Sequence, residues 1–169
     1  QNLVFLIDVS GSMDMPEKLP LVKRAFLMLL DALQPEDKVS IVTYASRDEV
    51  VLDGMRAGDK TAIMSAIENL EAGGATAGAA GITTAYQLAE KYFIQGGNNR
   101  VLLATDGDLN VGISDEGSLA RLAEEKKRSG VYLSVLGFGD GNYKDNKLEA
   151  LANRGDGNYS YIDTIHEAR

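Results

Sequence analysis

A chain of 169 residues, 44% hydrophobic and 25% charged, is long enough for one domain with a substantial core and too apolar for disorder. Its formal net charge of −8 argues against a nucleic-acid surface, which needs clustered Lys and Arg, and no apolar run approaches the ~18 residues of a membrane span. With no cysteine and one histidine, His166, the chain has no disulfide, thiolate site or cysteine nucleophile, and neither a multi-His metal site nor a His-dependent triad is to be expected.

The chain opens almost directly on a strand. "NLVFLID" is apolar at consecutive positions, as expected of a strand covered on both faces. Over residues 20–33, apolar side chains recur at Leu21, Val22, Ala25, Phe26, Leu29, Leu30 and Leu33, which predicts a helix with Pro20 in its first turn. "KVSIVTYA" reads as a second strand and "EVVLD" as an edge strand hairpinned onto it. "DKTAIMSAIENL" predicts a helix with Asp59 at its N-cap. The Gly/Ala-rich loop "AGGATAGAAG" leads into another helix through "ITTAYQLAEKYFI". "RVLLATD" is a further buried strand, and "SLARLAEEKKR" a helix ended by Gly130. The cations Lys126, Lys127 and Arg128 fall at that helix end, where they suit the dipole. "VYLSVLGFG" is a strand, "NKLEALANRG" a short helix closed by Gly155, and "NYSYI" a last strand with Tyr159 and Tyr161 at an edge. No repeat or linker divides the chain, so 1–169 reads as a single domain. With no initiator Met or signal sequence in view, it also reads as a domain excised from a longer protein.

Strands alternating with helices predict an α/β fold: a doubly wound, Rossmann-like, mostly parallel sheet with one antiparallel edge strand and helices on both faces. In that arrangement the first and fourth strands lie side by side where the strand order reverses, and ligands bind at the carboxyl ends there. Asp8 ends the first strand and Asp106 ends "RVLLATD". After Asp8, strand spacing puts Ser10 and Ser12 on the same side as the carboxylate. Thr76, in "GGATAG", can supply a fifth oxygen from a glycine-flanked loop, with Thr83 and Thr84 as alternatives. All five donors are hard oxygens and three are neutral hydroxyls, a set that suits Mg²⁺ or Mn²⁺ ahead of Ca²⁺ and excludes a zinc or copper preference. The triplet D-x-S-x-S alone also fits a turn that caps the next segment.

The D-x-S-x-S stretch from Asp8 to Ser12, the loop threonine Thr76, and "TDG" at Thr105, Asp106 and Gly107 resemble the von Willebrand factor type A domain, with the elements of its metal-ion-dependent adhesion site in order. The resemblance covers residues 3–162, and "VSGSM", "GGATAG" and "TDGDLNVG" look closest to bacterial members, in cell-envelope or uncharacterised proteins. It implies that Ser10, Ser12 and Thr76 touch the metal through their hydroxyls. Asp8 and Asp106 would act directly or through water, and an acidic side chain of a partner protein would complete the shell.

Neighbouring residues read more plainly. Asp108 and Asn110 continue an EF-hand-like spacing from Asp106, but Val111 and Gly117 occupy that loop's glycine and glutamate positions, so that reading fails. Asp14 and Asp108 read as surface carboxylates, Met13 and Met15 as gap fillers, and Tyr143 as no part of an aromatic stripe. The competing class is a metal-dependent phosphoryl-transfer or hydrolase enzyme. Against it, no P-loop or G-x-S-x-G elbow is present, Ser10 stands where a D-x-D phosphatase has its second acid, and no lysine lies by the strand ends. The expectation is therefore a non-enzymatic adhesion or scaffold module that binds a protein presenting Asp or Glu. It would bind no nucleic acid and insert in no membrane. The compartment expected is extracytoplasmic or the cell envelope, consistent with the missing cysteines, and the second reading is a cytoplasmic assembly factor beside an ATPase. A short terminal stretch, "DTIHEAR", begins a helix at most, which makes a terminal-helix switch a weak expectation.

Overall fold

The computed structural model describes residues 1–9, 19–44, 48–71, 81–105, 116–138 and 159–162. In chain order the elements are β1 (Asn2–Asp8), α1 (Leu19–Asp31), β2 (Lys38–Tyr44), β3 (Asp48–Arg56), α2 (Lys60–Glu68), α3 (Gly81–Lys91), β4 (Asn99–Thr105), α4 (Glu116–Arg128), β5 (Val131–Phe138) and β6 (Tyr159–Ile162). The strands form one sheet in the order β3-β2-β1-β4-β5-β6. Every neighbouring pair is parallel except β2 with β3. This is the doubly wound sheet expected from the alternating pattern, with its antiparallel strand at one edge and β6 at the other.

β1 is buried along its whole length because the pleat sends alternate side chains into two cores. Leu3, Phe5 and Ile7 enter one core with Leu21, Val22 and Phe26 of α1 and Ile63 and Ile67 of α2. Val4 and Leu6 enter the other with Ile82, Ala85 and Tyr86 of α3 and Ala123 of α4. Helices therefore cover both faces. Phe5 stacks on Phe26 with ring centroids 4.2 Å apart, so the α1 register on the sheet is set by two rings with no solvent exposure. Each such ring stabilises the fold by roughly 1.5–3 kcal/mol through burial alone.

Several boundaries differ from those read in the sequence. The edge strand runs from Asp48 to Arg56, well beyond "EVVLD". Register shifts flank Ile41, and Gly54 takes φ 65°. The buried hydroxyl of Ser40 accepts the Gly54 N–H at 2.8 Å, so the bulge leaves that donor satisfied and the strand continues. Asp59 stands at the N-cap of α2, but its side chain makes no capping hydrogen bond; the Ile63 N–H donates to the Asp59 carbonyl at 3.2 Å instead. α1 ends at Asp31, and Ala32 and Leu33 follow as tight turns onto the Leu29 and Leu30 carbonyls. α3 ends at Lys91, before Tyr92 and Phe93. Gly130 ends α4 with φ 96°, as expected, and Lys126, Lys127 and Arg128 do lie in that helix's last turn. The predicted helix over 146–155, Tyr143 and the terminal "DTIHEAR" lie outside the described residues.

Candidate functional site

Five of the six strands run the same way, so their carboxyl ends share one edge of the sheet. β1 lies in the middle, with β2 on one side and β4 on the other, and it is here that the winding reverses. Parallel sheets bind ligands in this crevice because the connections leave in opposite directions and no loop fills the gap between them. Asp8 is the last residue of β1, its register partner on β2 is Tyr44, and the preceding pair across to β4 is Ile7 with Ala104. The ladder runs one step further, from the Val9 N–H to the Tyr44 carbonyl at 3.0 Å, so the strand is held straight up to the point where Asp8 leaves it.

Asp8 has no solvent exposure. An ionised carboxylate in such a place requires donors or positive charge around it, since desolvation alone costs several kcal/mol. A hard divalent cation is one source of that charge, and carboxylate with hydroxyl oxygens is the donor chemistry Mg²⁺ and Mn²⁺ favour. The residues present thus fit such an ion.

Of the sequence-derived ligands, Asp8 lies within the described residues, and Ser10, Ser12, Thr76 and Asp106 lie outside them. The flanking elements are described. Ser10 and Ser12 follow β1 directly, and Asp106 follows Thr105, the last residue of the neighbouring β4. Segment 72–80, which carries Thr76, leads into α3 at Gly81. Gly81 is buried against Leu6 of β1 and Tyr44 of β2, so α3 starts at the same edge as Asp8. Of the alternative threonines, Thr83 is exposed and Thr84 half-buried in the first turn of α3. Asp14, Asp108, Met13 and Met15 are outside the described residues. Among the described residues no three His, Cys, Asp or Glu side chains gather, and the expected set contains only two such groups.

Sequence reasoning missed Gly81 and Tyr44. Tyr44 is fully buried beside Asp8 and supports the start of α3. The signal available for Gly81 was a glycine directly before an apolar-periodic run, which the sequence alone leaves indistinguishable from loop.

Among the described residues no helix is long and apolar enough to cross a membrane. The family model for the von Willebrand factor type A domain matches residues 2–168. The uncharacterized protein YfbK of Escherichia coli K12 is 48% identical over 168 residues, 99% of this chain but 29% of that protein, so the chain spans less than a third of that relative's length. Two solved structures share the fold at low identity. An aerotolerance-related membrane protein from Bacteroides fragilis superposes with a TM-score of 0.74 at 22% identity, covering 99% of this chain and 94% of the other. The manganese-loaded Plasmodium vivax TRAP protein superposes with a TM-score of 0.69 at 21% identity, covering 99% and 69%. Domains of this kind typically serve as protein-interaction and adhesion modules. A family model that spans nearly the whole chain, over a sheet wound in the order the family requires, makes this chain a member of the von Willebrand factor type A domain family.

Proposed function

We propose that this domain is a metal-dependent protein-binding module. Asp8, Ser10, Ser12, Thr76 and Asp106 would hold Mg²⁺ or Mn²⁺ at the carboxyl edge of β1 and β4, and an Asp or Glu of a partner protein would complete the set. The observation that carries this reading is the placement of Asp8: a fully buried carboxylate on the last residue of the central strand, where the sheet order reverses. When bound, the cation supplies a positive charge to which an outside carboxylate can bond.

The chain's own residues then divide the work. Asp8 holds negative charge where water is excluded, which strengthens every charge contact made there. The hydroxyls of Ser10, Ser12 and Thr76 add oxygen donors without further charge, so the set does not neutralise a divalent ion and attraction for an acidic ligand remains. Asp106 brings the second carboxylate from the adjacent strand. Binding, not catalysis, is the use this reading gives the site, since the chain has no cysteine and its one histidine is at 166. An extracytoplasmic or cell-envelope setting accompanies the reading, as the lack of cysteine suits an oxidising compartment, and one protein of the same fold is described as a membrane protein. Manganese in another protein of this fold is in keeping with the choice of ion.

Thermal unfolding in EDTA, Mg²⁺, Mn²⁺ and Ca²⁺, on the parent chain and on Asp8→Ala, tests the site. A ligand at about 100 times its Kd adds roughly 2.7 kcal/mol, a rise in Tm of about 5–10 °C at this size. That rise should come with Mg²⁺ or Mn²⁺ and vanish in Asp8→Ala. Equal melting in metal and in chelator would refute the reading.

A further inference from the structure

We infer that Gly81 is a positioning residue for this site: by having no side chain it lets α3 begin flush against β1 and β2, and so fixes where the segment carrying Thr76 arrives. The inference rests on the metal-binding reading above. It starts from an anomaly of residue choice. At a helix position alanine is intrinsically favoured over glycine by roughly 0.5–1 kcal/mol, and Gly81 is not among the described glycines with positive φ, so neither propensity nor backbone conformation calls for glycine. Space does. A Cβ at position 81 would stand 3.1 Å from Leu6 Cδ1, 3.1 Å from Tyr44 Cβ and 3.3 Å from Tyr44 Cγ.

The two neighbours differ in how they can yield. Leu6 Cδ1 is the tip of a side chain, although it has no exposure and sits in the core between the sheet and α3. Tyr44 Cβ is attached directly to a backbone laddered to both β1 and β3. A methyl at 81 therefore moves the helix start and not the strand, by a few tenths of an ångström. Tyr44 is the register partner of Asp8, so the displacement occurs beside the carboxylate. Metal sites tolerate misplacement of about 0.5 Å, and loss of a supporting contact weakens affinity roughly 10–100-fold.

The consequence separates affinity from stability. In Gly81→Ala the gain in helix propensity offsets part of the crowding, so the fold is affected little while the site loosens. A comparable intrusion can be made at the opposite edge. A Cβ at Gly58 would stand 3.3 Å from both Cβ and the carbonyl oxygen of Pro35, before the start of β2 and away from Asp8.

The experiment is Mn²⁺ binding, read from the free-ion electron paramagnetic resonance signal, on the parent, Asp8→Ala, Gly81→Ala and Gly58→Ala, with far-UV circular dichroism to show that each is folded. Gly81→Ala should raise the Mn²⁺ Kd about tenfold or more, and Gly58→Ala should leave it at the parental value. If Gly81→Ala folds poorly, Leu6→Val/Gly81→Ala, which removes the Cδ1 contact and keeps the Tyr44 contact, carries the same test. Parental affinity in Gly81→Ala, or in the double variant, would overturn the positioning role while leaving the metal site standing. Equal loss in Gly58→Ala would overturn it too. Absence of Mn²⁺ binding by the parent would overturn the site and this inference together.

Discussion

Gly54→Ala offers a direct check on how the edge strand is built. Gly54 has φ 65°, a left-handed conformation that costs an alanine roughly 1–2 kcal/mol. A Cβ there would also fall within the Tyr92 ring, closer to Cζ, Cε1 and Cε2 than any van der Waals contact allows. The ring cannot swing away freely, because its hydroxyl donates to Asp53 Oδ1 at 2.7 Å and lies 3.1 Å from the Asp53 carbonyl oxygen. Losing that bond costs about 1 kcal/mol more. The expected total is about 3 kcal/mol, a fall in Tm of about 6–12 °C for a domain of this size. The assay is urea and thermal unfolding of the parent, Gly54→Ala, Tyr92→Ala and the double variant. Once Tyr92 is an alanine, only the backbone cost should remain, leaving a coupling of about 1–2 kcal/mol between the two sites. An equal cost for Gly54→Ala in both backgrounds would refute the steric account and leave the backbone conformation as the sole cause.

Tyr86 is 1% exposed and its hydroxyl has no hydrogen-bond partner, so Tyr86→Phe should be neutral or stabilising by up to about 1 kcal/mol in urea unfolding. Burial also pushes the Tyr86 phenol pKa up, so the parent should lose stability as pH rises past 10.0, where the unfolded chain ionises first, and Tyr86→Phe should flatten that limb; an unchanged alkaline limb would count against it. Asp53 behaves in the opposite sense. The Tyr92 hydroxyl, and then the Lys91 ammonium at 3.3 Å, hold its carboxyl below the usual aspartate value. Its stabilisation is in force above the unfolded value of 3.8 and lost as pH falls through the lower folded one. Asp53→Asn should therefore lose less stability than the parent between pH 5 and 2, by a small margin, because the pair is half exposed.

The sequence by itself determined the class of fold, because its signals are local and repeated. "NLVFLID" is apolar at every position but its ends, and only a strand covered on both faces uses such a run. The helical spacing of Leu21, Val22, Ala25 and Phe26 gives α1 its buried stripe. Asp8 could also be singled out, since a carboxylate at the end of an apolar run is anomalous wherever it occurs. Tertiary structure decided what depends on contacts between distant segments. The Ser40 hydroxyl carries β3 past Gly54, although 14 residues separate the two and no local pattern marks either. The capping oxygen expected of Asp59 went unused, since a side chain's propensity to cap is weaker than the packing that fixes its helix. Gly81 looked like the last residue of a flexible loop, and only the approach of α3 to Leu6 and Tyr44 gives it a reason to be glycine. Composition and periodicity report what each segment buries; which backbone comes close enough to exclude a methyl group is settled only when the segments meet.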